Sequence, residues 1–179
     1  MKNVLLIISV IFCSCTSTQQ TTSQSGISED FQEKLNECPE NGECTFELFP
    51  NKTIEFKKDN IGILYPVLSE GDKTILKYTY HKSSPKNTQD GFYTEIIYAE
   101  LDNSSDEIEL KNEDLQNIKL HFGRFCYCKG QTGYYPISKG LFKTLKNDKN
   151  TINFSIDFEI KEVPQIIKNI DATISFKMK

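Results

Sequence analysis

The sequence predicts a mainly β protein: an antiparallel β-sandwich, or a partly open barrel, of about eight to ten strands with a short N-terminal helix. Apolar and polar residues alternate with a period of two in several runs after residue 40. This alternation is typical of antiparallel strands that have one buried and one wet face. Turn-forming residues separate the runs at intervals of roughly ten residues. No long helical pattern recurs between the runs, which argues against a parallel βαβ architecture.

The first fourteen residues have the pattern of an export signal. A lysine precedes a mostly apolar run over residues 4–12. A membrane-spanning helix needs about 20 apolar residues, so this run has the length of a secretory signal instead. Ser14 is the small residue that a signal peptidase requires before the cut, and Cys15 follows it. We therefore predict removal of residues 1–14 and lipidation of Cys15, with an ordinary signal peptide or a buried N-terminal strand as the alternatives.

Residues 15–28, CTSTQQTTSQSGIS, carry no charge and consist mostly of Ser, Thr and Gln. Such a stretch cannot bury enough apolar surface to offset its conformational entropy, so it is predicted to be a disordered tether. Fully extended, it would reach on the order of 45–50 Å. The sequence thus divides into a signal peptide, a tether and one β-rich domain over residues 29–179, with no transmembrane segment in the mature chain.

The predicted domain opens with a short helix over ISEDFQEKLNEC (27–38). Ser28 is a candidate N-cap, and acidic residues in the first turn favour the helix dipole. Phe31 and Leu35 lie four residues apart, on one face of a helix. A further helical turn is expected at residues 113–119, before the strand pattern LHFGRFCYC.

Strand patterns follow from there to the C-terminus. In the clearest of them, Phe154, Ile156 and Phe158 share one face, while Ser155 and its polar neighbours share the other. The well-marked strand segments are residues 44–49, 73–80, 91–101, 151–160 and 171–177.

Four cysteines remain after the predicted cleavage and lipidation: Cys38, Cys44, Cys126 and Cys128. An even number in an exported domain predicts two disulfides, with three conceivable connectivities. CPENGEC can turn back and pair locally, but residues i and i+2 of a regular strand are poorly placed for a bridge. This favours cross-links between the two cysteine pairs, with local pairing as the alternative. A four-thiolate metal site has the wrong spacing and the wrong compartment, so no metal is predicted.

The segment HFGRFCYCKGQTGYYPISKG (121–140) departs most from a plain sandwich, because it combines four glycines, two cysteines and five aromatic residues. One interpretation is a core strand followed by a hairpin whose tyrosines cover the sandwich edge. The sharper hypothesis is a binding edge held by disulfides. Its candidate contact residues are Arg124, Tyr127, Lys129, Tyr134 and Tyr135.

Motifs for catalysis are weak in this chain. His81 and His121 do not form an H-x-x-x-H pair, and G-x-S-x-G and glycine-rich phosphate-loop motifs are missing from the sequence. Neither a catalytic residue nor a cofactor is predicted. The net charge of −4 comes from interspersed acids and bases, which argues against a nucleic-acid partner.

The CSC sequence at residues 13–15 with its polar tail, together with the CPENGEC and CYC cysteines, resembles the uncharacterised small lipoproteins of Bacteroidetes-type bacteria. The resemblance implies export and a lipid anchor, but no particular activity. We therefore expect an envelope lipoprotein, facing the periplasm or the cell exterior, that acts as a binding or structural module. Its expected partners are the membrane, through the anchor, and an envelope protein, peptide or glycan. The alternative is a periplasmic enzyme or enzyme inhibitor.

Overall fold

The computed structural model describes residues 31–35, 38–84, 86–88, 90–104, 107–148 and 151–176. The predicted signal peptide, Cys15 and the tether lie outside these residues. The strands of the described part are β1 (Phe31–Leu35), β2 (Gly42–Lys58), β3 (Leu64–Lys82), β4 (Tyr93–Asp102), β5 (Glu107–Lys111), β6 (His121–Cys126), β7 (Gly133–Pro136), β8 (Gly140–Asp148), β9 (Thr151–Phe158) and β10 (Asn169–Phe176).

The strands form two antiparallel five-stranded sheets, which confirms the predicted sandwich. The front sheet has the order β2-β3-β4-β6-β7, and the back sheet has the order β1-β10-β9-β8-β5. Aromatic side chains join the two sheets: the ring centroids of Phe46 and Phe154 are 5.5 Å apart, and those of Phe122 and Phe158 are 5.9 Å apart. The predicted inward face of residues 151–160 is thus the buried face of β9.

The expected N-terminal helix is wrong, because Phe31–Leu35 forms strand β1 and pairs antiparallel with β10. An apolar spacing of four does not separate the two structures, since residue i+4 returns to the same side in a helix and in a strand. An isolated helix of this length is also marginal in water. The open edge of β10 offers hydrogen bonds that the sequence pattern could not reveal.

The expected helical turn before β6 is present as a 3₁₀ helix, Asn112–Ile118, which buries Leu115 and Ile118. Within the described residues, no helix has the length and apolar character needed to cross a membrane.

The outer face of the front sheet is covered by its own longest hairpin. Strands β2 and β3 bend at Asn51, which has a positive φ of 56°, and at a bulge where Lys52 faces both Glu70 and Lys73. Beyond the bend, residues 52–70 fold back across β4, β6 and β7; we call them the covering hairpin.

A second apolar cluster lies beneath the covering hairpin. Ile54, at 0% exposed, packs with Ile75 and Tyr98 on the outer face of the front sheet. The ring of Phe56 stacks on His121, with 3.6 Å between the ring centroids. The front sheet is therefore buried on both faces over this part of its area.

Both disulfides are local: Cys38 bonds to Cys44, and Cys126 bonds to Cys128. The favoured cross-links between the two pairs are wrong. Strands β2 and β6 are three positions apart in the front sheet, which separates them by roughly 14 Å and exceeds the reach of a disulfide. The argument against pairing Cys126 with Cys128 also fails, because β6 ends at Cys126 and leaves Cys128 outside the regular strand.

Candidate ligand-binding cleft

A cleft of about 430 Å³ opens at one end of the sandwich, where β3 ends, β4 begins and β6 ends. The connection between β9 and β10 closes its other side. The lining consists of Arg124 and of residues 82–83, 90–93, 126–128 and 164–166. We call this opening the Arg124 cleft. Its volume lies within the range of small-ligand sites, roughly 300–1,000 Å³.

A buried carboxylate holds the far wall of the cleft in place. Glu95 is 0% exposed, on the inner face of β4. It accepts hydrogen bonds from the backbone N–H groups of Ile166 and Ile167, at 2.6 and 2.7 Å, and from the Tyr93 hydroxyl. Within the same connection, the Gln165 side chain donates a hydrogen bond to the Ile167 carbonyl oxygen at 2.6 Å. The wall is therefore preorganised by hydrogen bonds to side chains.

Arg124 forms part of the cleft floor, and its side chain is held by two neighbours. Its Nε donates to the Tyr93 hydroxyl at 3.3 Å, and its Nη1 donates to the Gln131 Oε1 at 2.8 Å. The guanidinium carbon lies 5.3 Å from the centroid of the Tyr93 ring. Burial and the hydrogen bond to Glu95 raise the pKa of Tyr93 to about 12, against the opposing effect of Arg124. Tyr93 thus stays protonated, donating to Glu95 while it accepts from Arg124.

Arg124 is a mostly buried residue that has no acidic partner among the described residues. Arg124 is 7% exposed, and it forms no ion pair with any carboxylate in the described part of the chain. Its Nη2 has no hydrogen bond within the same residues. Among the described residues, Thr79 Oγ1 is the one fully buried side-chain N or O atom without a hydrogen bond. Because Nη2 of Arg124 also has no hydrogen bond there, it is not fully buried and keeps some contact with solvent. A buried cation with unused donors is uncommon, because desolvation of the charge is costly.

Large apolar side chains rim the cleft. Tyr127 is 77% exposed, Phe92 is 47% exposed and Ile166 is 37% exposed. Lys82 and Asp90, which are also exposed, contribute opposite charges to the same lining. Exposed aromatic side chains around a polar floor are typical of a binding site.

The structure brings together only part of the predicted binding edge. Arg124 and Tyr127 line the cleft, whereas Lys129 is exposed on the following turn and does not line it. Tyr134 packs against the second apolar cluster, and Tyr135 packs against the main core on the other face of β7. Four of the five residues are thus divided between the cleft and the packing of the sandwich.

Tyr134 lies on the outer face because the neighbouring strand leaves room for its ring. A Cβ added at Gly123 would lie 2.6 Å from the Tyr134 ring. The ring also contacts those of Phe56 and Tyr98. The glycine that suggested a flexible binding edge therefore serves the packing of an aromatic cluster.

Tyr93, Glu95, Phe92 and Ile166 were missed by the sequence reasoning. One signal could have indicated Glu95: it shares a period-two face with Ile97 and Ala99, which are both buried. An acid on an apolar strand face needs hydrogen-bond donors when it is buried. The contribution of Ile166 had no local signal, because 71 residues separate it from Glu95.

The histidines lie away from the cleft lining, on the outer face of the front sheet. The Nδ1 atom of His121 donates to the Lys119 carbonyl oxygen at 2.8 Å, and that of His81 lies 2.9 Å from the Thr94 hydroxyl. Burial lowers the pKa of His121, and the hydrogen bond to the Lys119 carbonyl oxygen opposes this shift. The described residues contain no group of three or more His, Cys, Asp or Glu side chains placed to hold a metal ion.

The fold and the cleft define a two-sheet β-sandwich with a ligand-sized opening at one end. Comparison with protein-family models, with curated proteins and with solved structures finds no match for this chain.

Proposed function

We propose that this protein is a lipid-anchored module of the bacterial cell envelope that binds a ligand in the Arg124 cleft. The proposed location at the cell envelope is supported by the signal pattern of residues 1–14, by Cys15 and by the uncharged tether. The tether would hold the folded domain away from the bilayer. The ligand is an envelope protein, a peptide or a glycan.

The observation that carries the binding role is the state of Arg124. A purely structural buried arginine is normally neutralised by a carboxylate, because an unpaired buried charge is strongly destabilising. Here Glu95 is committed to three other donors, and the Nη2 of Arg124 has no hydrogen bond among the described residues, so its N–H groups can serve a bound molecule. The aromatic rim would then supply apolar contact area next to this cation.

Mass spectrometry of protein extracted from membranes tests the anchor. We expect loss of residues 1–14 and a mass increase on Cys15 that matches acyl chains. Cys15→Ser should move the protein out of the membrane fraction or leave it unprocessed. An unmodified N-terminus at another residue would refute the lipid anchor.

Site-specific photo-cross-linking tests the binding role. A photoreactive phenylalanine derivative is placed at Tyr127 on the cleft rim and, as a matched control, at Tyr65 on the covering hairpin, which is 43% exposed. We expect irradiation of intact cells to give a discrete adduct from position 127 and none from position 65. Equal labelling from both positions, or no adduct from position 127, would contradict a binding role for this cleft.

A further inference from the structure

The unused donors of Arg124 suit one kind of ligand group. With Nε and Nη1 engaged by Tyr93 and Gln131, the edge that no other described residue uses is Nη2. Guanidinium groups form their strongest hydrogen bonds with carboxylates and phosphates. With only Nη2 unengaged among the described residues, Arg124 can give a carboxylate one charge-assisted hydrogen bond, whereas the three or four oxygens of a phosphate need several donors.

The surroundings of this nitrogen indicate what carries the carboxylate. Phe92, Tyr127 and Ile166 form an apolar rim, and the Cys126–Cys128 disulfide adds a further apolar surface to the lining. Of these three rim side chains only Tyr127 has a polar group, so the hydroxyl groups of a sugar acid that contact the rim would lose hydrogen bonds to water. An apolar group attached close to the carboxylate would instead gain contact area on the same rim.

Resting on the proposed function, we propose that the Arg124 cleft binds the carboxyl terminus of a peptide whose last residue is apolar. The terminal residue of a peptide carries a carboxylate and a side chain on the same carbon atom, so both groups reach the cleft together. The volume of about 430 Å³ accommodates about one or two such residues. Lys82, exposed at the mouth, adds a second cation for the same carboxylate, while Asp90 disfavours an acidic residue beside it.

Fluorescence anisotropy with defined peptides tests this proposal on the full chain purified in detergent. The probes are fluorescein-labelled Gly-Ala-Phe with a free carboxyl terminus and the same peptide with a carboxamide terminus. We expect the acid to bind and the amide to bind at least tenfold more weakly, because the amide lacks the charge that faces Arg124. Equal affinities of the two peptides, or no binding of either, would overturn the proposal.

Variants locate the binding site. Arg124→Lys keeps the charge but loses the planar fork, and it should weaken binding of the acid at least tenfold. Tyr127→Ala should weaken it several-fold, whereas Tyr65→Ala, an exposed tyrosine outside the cleft, should leave it unchanged. Unchanged binding in both cleft variants would refute this location. If Arg124→Lys fails to fold, the comparison of acid and amide on the unaltered protein and the Tyr127→Ala result still decide the matter.

Glucuronic acid serves as the probe for the competing ligand class. Displacement of a bound peptide by millimolar acetylphenylalanine, but not by glucuronic acid, supports a peptide terminus, and the reverse result overturns it. The photo-cross-linking result separates this inference from the proposed function. An adduct from position 127 combined with failure of the peptide probes would reject the peptide terminus and leave a binding module with another ligand.

Discussion

Strand β4 carries a buried carboxylate on the inner face of the front sheet and a partly buried one on the outer face, and each fixes a segment that packs on that face. On the outer face, Glu100 accepts hydrogen bonds from the Ile54 backbone N–H at 2.9 Å and the Thr53 hydroxyl at 2.6 Å, which anchors the covering hairpin. On the inner face, Glu95 anchors the connection between β9 and β10 through the backbone N–H groups of Ile166 and Ile167.

The two regions differ in how they use the nearest cation. Lys119 is fully engaged: its Nζ donates to Glu100 at 2.9 Å and to the Ile54 carbonyl oxygen at 2.8 Å. Burial alone would raise the pKa of Glu100, but hydrogen bonds from Thr53, Lys119 and the Ile54 N–H outweigh it and lower the pKa.

Arg124, in contrast, lies opposite Glu95 in the register of β4 and β6, shares with it hydrogen bonds to the Tyr93 hydroxyl, and keeps one nitrogen without a hydrogen bond in the described part of the chain. Lys119 therefore serves the packing of the covering hairpin, whereas Arg124 has an N–H edge that the described residues do not use.

The largest expected effect is at Glu95. Glu95→Ala should lower the free energy of unfolding by about 3–5 kcal/mol, because two backbone N–H groups and a hydroxyl would lose their acceptor. Glu100→Ala should cost about 1–3 kcal/mol, since its site is less completely buried. Urea unfolding measures both. Glu55→Ala, with its side chain 63% exposed, is the control and should stay within ~0.5 kcal/mol. A smaller loss in the free energy of unfolding for Glu95→Ala than for Glu100→Ala would contradict the assignment of Glu95 as the more deeply buried anchor.

Tyrosines of the predicted binding edge should separate into two groups. Tyr134→Ala removes a ring that contacts Phe56, Tyr98 and Phe125, and it should cost about 2–4 kcal/mol. Tyr127→Ala should change stability by less than ~0.5 kcal/mol, because the side chain is 77% exposed. Thermal melts of the two variants give the ranking, and a normal melt for Tyr134→Ala would remove the packing role assigned to it.

The two disulfides should contribute unequally. The chain-entropy model gives about 2.4 kcal/mol for the loop closed by Cys38 and Cys44, and about 1.6 kcal/mol for the shorter loop closed by Cys126 and Cys128. Paired Cys→Ser variants and urea unfolding measure each contribution, while peptide mapping without reduction verifies the pairing. Recovery of a peptide that links Cys44 to Cys126 would refute the strand order of the front sheet.

The smallest expected effect is a pH dependence from His121, beneath the covering hairpin. Its pKa in the folded protein is lowered from 6.5 because burial disfavours the charged ring. As the pH falls below 6.5, the unfolded chain takes up a proton that the folded chain does not, so stability decreases until the pH passes the folded pKa. His121→Gln should remove this component from stability measured between pH 7.5 and pH 5. Parallel curves for the two proteins would exclude His121 as the source.

The sequence by itself determined the faces of the strands. Leu76, Tyr78 and Tyr80 lie on the inner face of β3, and Lys77 and Thr79 lie on the other, as their alternation predicts. The same holds for Phe154 and Ile156 in β9. Alternation is a local property: each side chain reverses direction relative to its chain neighbour, so the pattern needs no knowledge of distant segments.

Only the tertiary structure decided which cysteines, strands and side chains pair with one another. The strand order placed Cys44 too far from Cys126 for a disulfide, the edge of β10 converted the expected helix into β1, and the bend at Asn51 carried the covering hairpin over Tyr134. The candidate site arose in the same way, because Glu95, Arg124 and Ile166 come from three separate segments of the chain. Distances between such segments depend on sheet order and on the packing of the two layers, and a linear pattern carries no information about either.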